Sequence, residues 1–78
     1  MNYKSKLKQT LIDHLEAKRL EIDTIPSFIR SMRICFSINS QMNYLEINRY
    51  LESFGWNDIK VDSNTLLLST AFFKAEDN

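Results

Sequence analysis

Seventy-eight residues carry ten basic and ten acidic side chains, so a formal net charge of zero gives no global attraction for nucleic acid or an anionic membrane. One cysteine excludes an internal disulfide, and one cysteine with one histidine leaves a structural zinc site short of ligands. One glycine and one proline disfavour a turn-rich all-β fold.

The first element is a helix from residue 3 to about 21. Tyr3, Leu7, Leu11 and Leu15 step by four along one stripe. Lysines crowd its start and Glu16 and Glu21 its end, the reverse of what the helix dipole favours, so packing must hold it. His14 projects within the apolar stripe and reads as a neutral, packed histidine. Ile12 and Leu20 point away from that stripe.

Asp23, Thr24 and Pro26 punctuate the chain and open a second helix, with Asp or Thr as cap and Pro in the first turn. Ile25, Phe28, Met32, Cys35 and Phe36 form its apolar face. Cys35, central in that face, reads as an inert buried thiol. Arg30 and Arg33 lie on the opposite side.

The stretch Asn43 to Trp56 is the most fully specified in the chain. Asn43 and Glu46 have capping-box spacing, and Met42 is placed to staple the helix entry. Ile47, Tyr50, Leu51 and Phe54 make one face, while Glu46, Arg49, Glu52 and Ser53 make the other. Gly55 sits where a left-handed residue ends a helix, with Trp56 folding back toward Leu51.

Beyond Trp56, residues 58 to 62 alternate polar and apolar, a short extended segment. Two continuations compete. In the preferred one, Asp62 caps a fourth helix from about Ser63 to Ala75, with Leu67, Leu68, Ala71, Phe72 and Ala75 inside and Leu66 and Phe73 on the far side. In the other, Thr65 to Thr70 returns as a strand and closes a C-terminal β-hairpin.

The expected fold is therefore mainly α: a single domain, residues 1 to 78, of three to four short helices packed around Leu11, Leu15, Phe28, Met32, Ile47, Leu51 and Phe54. The alternative is three helices plus the hairpin, an arrangement like a winged helix. So short a chain is marginal alone, and with no disulfide or metal to brace it, self-association is the expected support. No apolar run is long enough to span a bilayer, and no secretory signal is present, so a cytoplasmic location is expected.

No phosphate-cradling loop, catalytic set or cofactor motif is present in the residues, and no small-molecule ligand or metal is expected. The expectation is a non-enzymatic protein-interaction or regulatory module, bound to itself as a homodimer or to another protein. Ile12, Leu20, Leu66 and Phe73 are its candidate interaction surface, as large apolar groups outside the main stripes. Arg30, Arg33 and Arg49 are a candidate basic surface. A small winged-helix-like DNA-binding regulator is the alternative, disfavoured because Glu46 and Glu52 flank Arg49 and repel phosphates.

Overall fold

A computed structural model describes residues 2–77 and consists of four helices: α1 (Tyr3–Ala17), α2 (Ile25–Ile38), α3 (Tyr44–Ser53) and α4 (Ser63–Glu76). The last segment is the helix and not the hairpin; among the described residues there is no strand, so the winged-helix alternative is withdrawn.

Three helix starts follow one device. Asn2, Asn43 and Asp62 are extended N-caps whose side-chain oxygens accept from the backbone amides of Ser5, Glu46 and Thr65. Each satisfies one of the amides that a helix start leaves unpaired. The Asn43–Glu46 box closes on one side only, since no bond from the Glu46 carboxylate back to Asn43 forms among the described residues. The start of α2 differs. Thr24 makes no side-chain cap, its hydroxyl donating instead to the Glu21 carbonyl, and Pro26 occupies the first turn, where no amide is needed.

Two helix ends share a second device. After α3, Gly55 has φ of +97°; its N–H donates to Glu52 O and the Trp56 N–H donates to Leu51 O. After α1, Arg19 has φ of +72°; its N–H donates to Glu16 O and the Leu20 N–H donates to Leu15 O. Both are paired 6→1 and 5→2 closures about a left-handed residue. The second one stops α1 at Ala17, four residues before the expected end.

The core is Leu11 and Leu15 of α1, Ile25, Phe28, Ile29, Met32 and Cys35 of α2, Ile47 and Leu51 of α3, Phe72 and Phe73 of α4, and Met42, Ile59 and Val61 from the connections. Complete burial of a leucine such as Leu15 contributes about 1.5–3 kcal/mol. Met42 and Ile47, buried together, hold the entry angle of α3. Helices α1 and α4 run antiparallel: His14 and Lys18 near the end of α1 bond Thr65 and Asp62 at the start of α4.

Three expectations are corrected. Phe54, at the C-cap of α3, is 44% exposed, and Tyr3, at the start of α1, is 70% exposed, so neither belongs to the core. The inner face of α4 is Thr65, Ser69, Phe72 and Phe73, so Leu67 points outward at 67% exposure. Apolar residues surround α4 almost evenly, and a polarity pattern alone selects no face.

Candidate functional site

Two features stand out, one polar and one apolar. The polar one joins the end of α1 to the start of α4. Asp62 Oδ1 accepts from both the Thr65 amide and the Thr65 hydroxyl at 2.9 Å. Thr65 Oγ1 lies 2.7 Å from His14 Nε2. The hydroxyl has one proton and gives it to Asp62, so the imidazole Nε2 must be the donor toward Thr65. Lys18 Nζ closes the cluster 2.9 Å from Asp62 Oδ2.

The Thr65 amide bond, then the Lys18 ammonium and the Thr65 hydroxyl, hold the Asp62 carboxyl well below the usual carboxylate range. The order His–Thr–Asp resembles a nucleophile set in composition only. Thr65 is completely buried, its proton is directed to Asp62, and His14 donates where a general base would accept. The cluster caps α4 and ties it to α1. The Cys35 thiol is likewise enclosed, and burial pushes its pKa up, away from the reactive thiolate.

Two anchors escaped the sequence reading. The Asn48 amide brackets Val61, donating from Nδ2 to the carbonyl and accepting from the N–H at Oδ1, both at 2.9 Å. It acts as one rung of a strand pair and pins the extended segment against α3. Trp56 folds back as expected, its ring meeting Phe28 edge-on at 5.3 Å, and its Nε1–H also donates to Ser31 Oγ at 2.9 Å. No pattern in the sequence identified Asn48 or Ser31 as the partners.

The apolar feature is a cleft of about 570 Å³ between α1, α2 and α4. Its floor is Ile12, Ile25, Pro26, Ile29 and Phe72. Lys8 and Glu16 on α1 and Arg30, Arg33 and Glu76 opposite form the rim. Ile22 is 65% exposed at its mouth.

The four candidate interaction residues are not brought together. Ile12 opens into this cleft. Leu66 lines a different groove, beside Leu67 and the start of α1. Leu20 packs half-buried against the core after the α1 closure. Phe73 is itself core, 5.2 Å from the Phe36 ring.

The three arginines are also divided. Arg33 pairs with Glu76 and lies over the Phe73 ring at 5.0 Å, so its charge is engaged. Arg30 stands on the cleft rim, donating to Ser27 Oγ. Arg49 lies on α3 in a shallow depression with Glu46, Tyr50 and Ser53. The residues that sequence reasoning did not connect to Ile12 are Ile22, Ile25, Ile29 and Phe72. Only the helix crossings bring them into one wall. No protein-family model, curated protein or solved structure significantly resembles this chain.

Proposed function

We propose that the protein is a non-enzymatic interaction module that receives a protein partner in the cleft between α1, α2 and α4. The observation that carries this reading is the composition of the cleft. Five apolar side chains form its floor, charged groups of both signs form its rim, and a sixth apolar side chain, Ile22, stands largely exposed at its mouth. An apolar floor within a polar rim is the anatomy of a protein interface. The polar groups where α1 ends and α4 starts are consumed in capping and in tying the two helices together.

The test is Ile22→Glu, a substitution at an exposed site that leaves the core untouched. Self-association and capture of proteins from the native host are measured with the wild type and the variant. A contact present in the wild type and lost in Ile22→Glu supports the reading. No contact of either kind, or one indifferent to Ile22→Glu, refutes it.

A further inference from the structure

We infer that the occupant of the cleft is a second copy of this chain, joined through α1 packed antiparallel on α1 of its partner about a two-fold axis at Ile12; this rests on the reading of the cleft as an interface. Lys8, Ile12 and Glu16 are spaced by four along α1 and all line the cleft. That spacing places them on one face, with the two charges about 12 Å apart and the isoleucine midway.

A two-fold axis through Ile12 places each residue opposite the one equally far on the other side. Lys8 then faces Glu16 of the other copy, and Glu16 faces Lys8, while Ile12 meets Ile12. The face is self-complementary in charge. Lys8 and Glu16 are exposed, and neither side chain has an ion-pair partner among the described residues. An extended acidic or basic partner calls for a rim of one sign, whereas a second copy calls for both signs placed symmetrically about an apolar centre. The chain's zero net charge sets up no long-range repulsion between copies. Ile22, on the same cleft, is the large exposed group that the second α1 covers.

Sedimentation velocity over a dilution series tests this with wild type, Lys8→Glu, Glu16→Lys and the double variant, each first shown to be folded by circular dichroism. The wild type is expected to dimerise at roughly 10–100 μM, the range open to a modest interface after association entropy is met. Either single substitution puts like charges opposite each other at two symmetric places and weakens the dimer about tenfold. The double variant swaps the signs and returns to near wild-type association. Single variants that weaken without rescue in the double overturn the α1 pairing, as does a wild type that is monomeric throughout. A monomer that still retains a host protein through Ile22 overturns the second-copy inference and leaves the interaction reading intact. A monomer that retains none overturns both.

Discussion

The two left-handed helix closures make opposite predictions at equivalent positions. After α3 the residue at positive φ is Gly55; after α1 it is Arg19. The hydrogen-bond pairs around them correspond bond for bond. A Cβ built on Gly55 meets nothing within 4 Å, so Gly55→Ala involves no clash and its cost is the backbone conformation alone. That cost is about 1 kcal/mol. At Arg19 the protein already bears that strain, and Arg19 is exposed with no side-chain bond among the described residues. Arg19→Gly therefore gains about 0.5–1 kcal/mol, reduced somewhat by the added freedom of the unfolded chain. In urea, with a slope of about 1 kcal/mol per molar for a chain this small, the midpoint falls by about 1 M for Gly55→Ala and rises by about half that for Arg19→Gly. Chemical denaturation followed by Trp56 fluorescence measures both. A neutral Gly55→Ala together with a destabilising Arg19→Gly would refute the reasoning that backbone conformation, and not side-chain contact, governs these two positions.

Asn48→Ala removes both bonds to Val61 and leaves a buried N–H and C=O unpaired, so it should destabilise by about 2–3 kcal/mol; a loss under about 0.5 kcal/mol in a urea titration would contradict the clamp. Trp56→Phe keeps most of the ring contact with Phe28 but deletes the bond to Ser31, and should cost about 1 kcal/mol; Trp56→Ala loses both and should cost about 2–4 kcal/mol, read by the same titration with circular dichroism. Asp62 has a folded pKa below its unfolded value, so its contribution to stability is present above about pH 4 and is lost as pH falls through the folded pKa. Urea midpoints from pH 7 downward should therefore fall below about pH 4, and Asp62→Asn, which keeps a capping oxygen without the charge, should flatten the decline. An unchanged acid profile in Asp62→Asn would remove this carboxylate from the account.

The fold was most legible where local chemistry is self-contained. Asn43 as cap, Gly55 as stop and Trp56 folding back are all read from residues adjacent in sequence, and the structure shows each of them. Arg19 hid the matching stop after α1 because an arginine gives no signal for positive φ. The outward turn of Leu67 and the burial of Phe73 were hidden for another reason. Thr65 and Ser69 occupy the inner face of α4, and a threonine is buried at little cost only when its hydroxyl is already bonded, as here to Asp62 and His14. That satisfaction depends on α1 lying alongside, which no pattern within α4 records. The Ser69 hydroxyl is buried with no hydrogen-bond partner among the described residues, and nothing in its surroundings explains its choice over alanine. At the cleft, Ile12 was legible as an apolar residue off its stripe. Its company of Ile22, Ile29 and Phe72 was not, because three helices must cross before those residues meet.

The central claim is that α1 carries a face complementary to itself, with Lys8 opposite Glu16 across a two-fold axis. Its most direct test mixes the two single variants. In Lys8→Glu both positions are acidic, and in Glu16→Lys both are basic, so each alone repels its own copy while the two attract one another. Sedimentation velocity of each variant alone and of their equimolar mixture measures this at one fixed concentration. The account predicts monomers in the separate samples and a heterodimer in the mixture, loosened as salt is raised. A mixture that sediments as the average of its two components would contradict it.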